Sequence, residues 1–335
     1  MKHKIMYFGG CWATNMGEAF IDIGAMQLLK LALPESAIVY VSGMAHYYVK
    51  SRHAEKCAKP QQVIAKSLGV HYEIAINRRP AMAPMVDLSQ LAHQGISLKA
   101  DIFALGGMFA TEEFVETGAA KYWIAPLFKK NKSMRSVFIG LGGEKYTKEE
   151  VDKFASFLPV MRVLGIITRD DKAHDFYKQK LSPCFRGIDC AFFVSEAYSP
   201  VGFAVEPYDV MAFSRMAKPP SFEKWNKKIV RAEHMFYHTT CPDDFRDYFI
   251  SDSPYDYLTL YANCSEVHTD LVHATIIALM YGKRVKYYDA SKRALAFDAV
   301  GATIDKDGFL SLDPSILAIR KAEMIEHLRE IVGRI

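Results

Sequence analysis

The sequence lacks the short motifs that most directly identify metal, disulfide and nucleotide sites. Its six cysteines include no Cys-x-x-Cys pair, so neither a zinc site nor a disulfide framework is indicated. The dinucleotide pattern Gly-x-Gly-x-x-Gly and the Walker phosphate loop are both missing, which argues against the two commonest glycine-rich nucleotide sites. The sequence therefore predicts a protein without a metal site and without a resident cofactor.

Long hydrophobic runs and a strong charge of one sign are missing as well. The first apolar segment, residues 4–8, is too short for a signal-peptide core or a membrane span. The net charge is only +4, and the densest basic cluster, Lys129–Lys132 with Arg135, lies between a predicted helix and a predicted strand. Such a cluster is typical of a solvated connection. We expect a cytoplasmic protein that does not bind nucleic acid.

What the sequence does have is length and apolar content sufficient for two domains. Its 335 residues, 50% of them hydrophobic, exceed the ~250–300 residues at which one core stops growing. Alternating strand and helix patterns predict an α/β fold of two Rossmann-like domains with a cleft between them. The aperiodic segment 196–207 marks the boundary. We expect domains at 1–200 and 201–312, and a C-terminal helix within 313–335 that packs back on the N-terminal domain.

The periodicity of apolar residues gives the order of the elements. Strands are predicted at 4–8, 37–41, 71–76, 102–105, 136–139, 165–168 and 184–188, with 191–194 as an exit, and then at 210–213, 234–237, 257–261 and 285–288. Helices are predicted at 18–31, 60–68, 117–130, 148–161, 172–180, 222–230, 243–249, 271–280 and 314–332.

Three turns after predicted strands are candidate parts of a ligand site, since ligands bind at the carboxyl ends of parallel strands. The first contains Asn15 and Gly17. The second is Gly106-Gly107, which serves either as a ligand cradle or as a tight turn. The third begins at Arg169, which either clamps an anion or pairs with an aspartate at the start of the next helix.

His273 is the polar residue inside an otherwise apolar helix. Thr269 and Asp270 are predicted to cap that helix at its start, and Gly282 to end it. His273 falls in the first turn, where free amides and the helix dipole favour an anion. It is therefore either a functional residue or a buried histidine bonded to a carbonyl.

Several of these pieces together resemble the polysaccharide pyruvyl transferase family, in the order in which that family has them. The matching pieces are Asn15-Met-Gly-Glu18 with the helix that follows, Ala104-Leu-Gly-Gly-Met108, Thr168-Arg-Asp170, Ile188-Asp-Cys-Ala-Phe-Phe193, Val267-His-Thr-Asp-Leu-Val-His273 and Ala278-Leu-Met-Tyr-Gly-Lys283. The resemblance covers most of the chain from about residue 5 to 293.

This resemblance implies a fold like the glycosyltransferases of the two-Rossmann B type (GT-B). It also implies transfer of pyruvate from phosphoenolpyruvate to a sugar hydroxyl in exopolysaccharide biosynthesis. The expected partners are phosphoenolpyruvate and a saccharide acceptor, with peripheral contact to a lipid-linked glycan at the membrane. His273 would be the catalytic acid or phosphate partner. The expected substrate-binding residues are Asn15, Gly17, Gly106, Gly107, Arg169, His268 and Lys292.

One position departs from the family pattern. The family usually has Arg-x-His in the helix, and Leu271 stands at the arginine position. Loss of a charged hydrogen bond removes about 1.5–3 kcal/mol of binding. Either a nearby cation replaces it, or the protein is a glycosyltransferase with a nucleotide-sugar donor, or it is not catalytic. The candidate replacements are His268, Lys283, Arg284 and Arg293, and the candidate general bases are Asp22, Glu112, Glu113 and Asp189.

Overall fold

A computed structural model describes residues 2–9, 15–42, 85–87, 95–107, 110–111, 114–115, 124–143, 145–204, 206–214, 216, 220, 227–234, 248–251, 253–289 and 295–334. These residues form two sheets of seven strands each, with helices packed against them. The first sheet is built from residues before 200 and the second from residues after it. The predicted α/β class with two Rossmann-like domains is confirmed.

The first sheet has the strand order of a Rossmann domain. Its strands are β1 Lys4–Phe8, β2 Ala37–Ser42, β3 Met85–Asp87, β4 Ile102–Gly106, β5 Arg135–Leu141, β6 Val163–Thr168 and β7 Cys184–Phe185. They are all parallel and lie in the order β3-β2-β1-β4-β5-β6-β7. The order reverses between β1 and β4, which makes their carboxyl ends the expected ligand crevice.

Helices connect and cover these strands. They are α1 Met16–Ala32, α2 Ala125–Lys130, α3 Lys148–Met161, α4 Asp171–Tyr177, the 3₁₀ helix Cys190–Phe193 and α5 Val194–Ala197. Because the strands are covered by helices, β4 is buried along its whole length. Close packing of α1 depends on Gly24, where a Cβ would overlap the carbonyl oxygen of Cys190.

The second sheet repeats the same order and adds an antiparallel edge. Its strands are β8 Tyr208–Ala212, β9 Lys228–Ala232, β10 Tyr248–Phe249, β11 Glu266–Thr269, β12 Arg284–Tyr287, β13 Thr303–Ile304 and β14 Leu310–Ser311. Their order is β10-β9-β8-β11-β12-β14-β13, with β14 antiparallel to both neighbours. The reversal between β8 and β11 is a second expected crevice. The helices here are α6 Pro254–Asn263, α7 Val272–Met280 and α8 Leu295–Asp298.

The last helix, α9 Pro314–Val332, packs back on the first domain, as predicted. Ile331 lies against Gly165 of β6, where a Cβ would meet its side chain. The Arg329 guanidinium donates hydrogen bonds of 3.1 Å to the carbonyls of Leu31 and Ala32 at the end of α1. The C-terminal helix therefore ties the end of the chain to the N-terminal domain.

Several predicted elements are wrong. Residues 257–261 are helical, as part of α6, and not a strand. Residues 228–230 form strand β9 and not the end of a helix, and 191–194 are helical rather than extended. Strands β3 and β11 were not predicted. Residues 248–249, predicted as the end of a helix, form strand β10. The predicted elements at 60–68 and 71–76, and the parts of other elements at 117–123, 222–226, 235–237 and 243–247, lie outside the described residues.

Candidate functional site

The two ligand crevices meet, because helices α1 and α7 begin beside each other. Helix α1 follows β1 in the first sheet, and α7 follows β11 in the second. At the meeting point Gly17 lies directly against the imidazole of His273: a Cβ at this glycine would overlap Nδ1. The absence of a side chain at Gly17 therefore lets the N-termini of two helices from different domains converge.

The start of α1 is fixed by hydrogen bonds from both domains. Asn15 is its N-cap; its Oδ1 accepts from the Gly17 amide at 3.1 Å and its Nδ2 donates to Glu18 Oε1 at 3.2 Å. The Met16 amide donates to the carbonyl of His234, in the second domain, at 3.2 Å. Burial raises the pKa of the Glu18 carboxyl above its ordinary value, against the opposing effects of Asn15 and His273.

The start of α7 differs from the sequence prediction. Its N-cap is Leu271, and no side-chain cap is found for it among the described residues. Thr269 accepts the Leu271 amide at 3.0 Å through its hydroxyl. Asp270, predicted as a cap, is instead buried and accepts the amides of Ser214 and Met216 at 3.1 and 2.7 Å. The positive end of α7 therefore carries no carboxylate cap of its own.

His273 pairs with a buried carboxylate of the first domain. Its Nε2 lies 3.6 Å from Oδ2 of Asp189, and the side chains are 20% and 4% exposed. The other oxygen, Oδ1, accepts the Ala191 amide at 2.9 Å and caps the 3₁₀ helix. Burial by itself raises the pKa of Asp189, but His273, Arg169 and the Ala191 amide outweigh it and hold the pKa below its ordinary value. The pair therefore holds the imidazole in place across the two domains.

Arg169 is the second predicted residue that reaches this group. Its side chain packs over Gly142, where a Cβ would overlap the guanidinium, and its Nε lies 3.5 Å from Oδ2 of Asp170. It also lowers the pKa of Asp189 through its charge. The pairing with Asp170 is therefore observed, and a role of Arg169 in clamping an anion stays a prediction.

A neutral histidine lies beneath the site, which the sequence did not single out. His234 is buried, and its Nε2 lies 2.6 Å from the Tyr261 hydroxyl. Burial, with a further contribution from the charge of His273, lowers its pKa to about 3. Its ring stands edge-on to Phe20 of α1, with 5.8 Å between centroids. His234 therefore supports α1 from the second domain without carrying charge at neutral pH.

Other predicted site residues have different surroundings. His268 contacts Tyr288 at 3.0 Å and Glu266 at 3.6 Å, on the second sheet. The Gly107 amide donates to Ile139 at 3.0 Å, as in a tight turn, and a Cβ at Gly106 would overlap the hydroxyl of Tyr7. A substrate role for these three residues stays a prediction.

Among the remaining candidates, Asp22 lies in a buried cluster, Arg284 begins strand β12 directly after Lys283, and four others are not described. Asp22 accepts hydrogen bonds from the hydroxyls of Tyr7 and Tyr40 at 2.7 and 2.6 Å, at the base of α1. Lys292, Arg293, Glu112 and Glu113 lie outside the described residues.

No group of three or more His, Cys, Asp or Glu side chains in the described part of the chain is arranged to hold a metal ion. No helix among those residues is long and apolar enough to cross a membrane.

The fold is GT-B-like, with two Rossmann-like domains and a candidate site at their junction. A profile of the family described as "Polysaccharide pyruvyl transferase" matches residues 15–285. The chain therefore belongs to the polysaccharide pyruvyl transferase family. Comparison with curated protein sequences gives no significant match.

The chain is also similar to solved structures. The chain is similar to UDP-N-acetylglucosamine 2-epimerase from Rickettsia bellii, with 10% identity, a TM-score of 0.51 and coverage of 99% of this chain and 96% of that chain. Heptosyltransferase WaaC from E. coli, solved with ADP, is 8% identical with a TM-score of 0.37, over 86% of this chain and 88% of that chain. At such low identity the Rickettsia structure supports the architecture alone.

Proposed function

We propose that this protein transfers pyruvate from phosphoenolpyruvate to hydroxyl groups of a saccharide, with release of phosphate. The observation that carries the proposal is the position of His273: it lies in the first turn of α7, against the N-terminus of α1, and pairs with Asp189. Helix N-termini favour anions. Phosphoenolpyruvate carries a phosphate and a carboxylate on one small molecule. Two converging helix N-termini can therefore bind one anionic group each.

The same histidine fits the proton transfer that this reaction needs. When an acceptor hydroxyl adds to the central carbon of phosphoenolpyruvate, the methylene carbon must receive a proton. In the proposal His273 donates it, and the carboxylate of Asp189 orients the ring. Arg169 contributes positive charge for the anionic donor.

The other predicted partners complete the proposal. Asn15 and Gly17 shape the start of α1, and Lys292, His268, Gly106 and Gly107 remain proposed substrate contacts. We place the reaction in the cytoplasm, where phosphoenolpyruvate is made. The acceptor in this proposal is a lipid-linked precursor of an exopolysaccharide at the membrane.

Calorimetric titration with phosphoenolpyruvate tests the proposal directly. We expect binding by the wild type and loss of at least about tenfold in affinity or turnover for His273→Ala. His3→Ala is the matched control, because His3 precedes β1 at the opposite end of the strand from the site. A folded wild type that does not bind phosphoenolpyruvate would contradict the proposal.

A second candidate function follows from Leu271, which is buried at the N-cap of α7 where the family has an arginine. A glycosyltransferase with a nucleotide-sugar donor does not need that arginine for a carboxylate. Thermal-shift measurements with UDP-, GDP- and CMP-sugars separate the two candidates. Stabilisation by one of these sugars and not by phosphoenolpyruvate favours the glycosyltransferase.

A further inference from the structure

The proposed reaction requires a second proton-transfer group besides His273. To form a ketal, two hydroxyls must bond to the same carbon of phosphoenolpyruvate, and each gives up a proton. In the first half one proton is also added to the methylene carbon, and in the second half phosphate leaves. His273 donates its proton in the first half-reaction. A second group must therefore accept the proton of the first hydroxyl and pass it on to the leaving phosphate.

Glu18 has the location that such a partner needs. It is the third residue of α1, directly after the glycine that lies against His273, and its side chain is half-buried. Its Oε1 accepts a hydrogen bond of 3.2 Å from the side-chain amide of Asn15. The charge of His273 acts on it. The Glu18 carboxylate therefore lies one residue from the contact with the imidazole, within reach of its charge, where the two crevices join.

Polar and charged side chains from both domains surround Glu18 and His273. Asn15 faces Glu18 from the start of α1, and His273 faces it from α7. Asp189 pairs with Nε2 of the imidazole, Arg169 acts on Asp189 through its charge, and the charge of His273 acts on the buried, neutral His234. Burial raises the pKa of the Glu18 carboxyl, which makes its carboxylate a stronger base than an exposed one.

We propose that Glu18 is the general base of the first half-reaction, and that Glu18 and His273 exchange roles in the second. This inference rests on the proposed function. In the first half the acceptor oxygen bonds to the central carbon, its proton passes to Glu18, and the carbon–carbon double bond takes a proton from His273 at the methylene carbon. The product is a phosphate-bearing ketal in which that methylene has become a methyl group.

The second half returns both groups to their starting states. The bond between the central carbon and the phosphate oxygen breaks, and the proton on Glu18 goes to the leaving phosphate. The second hydroxyl oxygen bonds to the same carbon and gives its proton to His273. Two hydroxyls and one phosphoenolpyruvate thus become one cyclic ketal and one phosphate, and no outside proton is needed.

The variant Glu18→Gln tests this assignment, because glutamine keeps the shape and the acceptor oxygen for Asn15 but cannot take a proton. The first measurement needs no acceptor: calorimetry of phosphoenolpyruvate binding near pH 6 in two buffers with different ionisation enthalpies. A bound anion favours the protonated form of a nearby carboxyl, so proton uptake on binding should be smaller in the variant. Glu149→Gln is the control, because Glu149 is exposed in the first turn of α3.

The second measurement is turnover with p-nitrophenyl glucoside, galactoside, mannoside and N-acetylglucosaminide as acceptors. We expect kcat to fall by roughly 100-fold or more in Glu18→Gln, with the phosphoenolpyruvate affinity within about threefold of wild type. The wild-type rate rises with pH through the Glu18 pKa, and this rise should be missing in the variant. Glu18→Asp should recover part of the rate.

The outcomes separate this inference from the proposed function. If the wild type binds no phosphoenolpyruvate, the proposed function fails and this assignment fails with it. If the wild type binds, but Glu18→Gln has the same proton uptake or the same kcat, only the role of Glu18 is overturned. A lower melting temperature for Glu18→Gln together with weaker phosphoenolpyruvate binding would show that Glu18 stabilises the start of α1. That result would also overturn the proposal.

Discussion

At the scale of single residues, Gly17 is the point where the absence of a side chain matters most. Replacing a glycine inside a helix by alanine ordinarily stabilises the protein by about 0.5–1 kcal/mol. In Gly17→Ala the new methyl group would meet the His273 ring, which can rotate away from Asp189. We expect a kcat reduced by roughly 10- to 100-fold, with little change in the free energy of unfolding.

Gly24→Ala is the matched comparison on the same helix. There the methyl group would meet the backbone carbonyl of Cys190, which cannot rotate away. The expected loss is about 1–3 kcal/mol in the free energy of unfolding, measured by denaturant titration. A fully active Gly17→Ala variant would show that the contact between α1 and His273 is not part of the site.

Asp189 gives a prediction on pH and stability. Its pKa in the folded protein is below its ordinary value, so its charge stabilises the fold above a pH of about 4. This contribution is lost as the pH falls through the folded pKa. Asp189→Asn should therefore lower the unfolding free energy at pH 7 by about 1–3 kcal/mol, with the difference from wild type shrinking towards pH 3. An equal difference at both values would contradict the assigned charge.

At the scale of elements, two helices with clear start signals were predicted to the residue. Helix α3 begins after Thr147, whose hydroxyl accepts the Glu150 amide at 3.2 Å, and α9 begins after Asp313 with a proline at its first position. The second domain was harder, because its elements are short and apolar. Helix α6 contains Tyr257-Leu-Thr-Leu-Tyr261, residues typical of strands, and these outweighed the start signals Ser253 and Pro254. Strand β11 has four residues, too few for a periodic pattern.

Helix α9 offers a prediction at the same scale. Leu328 is fully buried on the face that packs against the first domain, whereas Ile319 is 57% exposed. Leu328→Ala should lower the free energy of unfolding by about 2–5 kcal/mol. Ile319→Ala, on the same helix, should stay within about 0.5 kcal/mol of wild type. Chemical denaturation of both variants measures the difference, and equal effects would mean that α9 does not stabilise the fold by packing on it.

At the scale of the whole molecule, the sequence indicated which residues matter but not which of them touch. Asn15, Gly17 and Arg169 were chosen from turns after strands and His273 from the first turn of a helix, and the fold brings these residues from two domains to one junction. Glu18 and His234 were missed as site residues. The signal for Glu18 was its position three residues after Asn15, a capping pattern. His234 gave no local signal, because its role depends on contacts with α1 that are made across the domain junction.

The junction also has a consequence for unfolding. One continuous cluster of buried apolar side chains includes Phe20 of α1, Val137 of β5, Val210 of β8 and Val267 of β11, and so extends through both domains. A shared core favours unfolding in one step, although chains of this length often populate intermediates. Far-ultraviolet circular dichroism and intrinsic fluorescence should therefore give the same urea midpoint.

Phe20→Ala tests the shared core. Phe20 is fully buried and its ring meets His234 of the second domain, so its removal should cost about 3–5 kcal/mol and lower both midpoints together. Phe203→Ala is the control, because Phe203 is 78% exposed and its loss should leave both midpoints unchanged. If the two probes separate in the wild type, or if Phe20→Ala shifts only one of them, the domains unfold independently. In that case the contact between Gly17 and His273 has to form by docking of two separately stable domains.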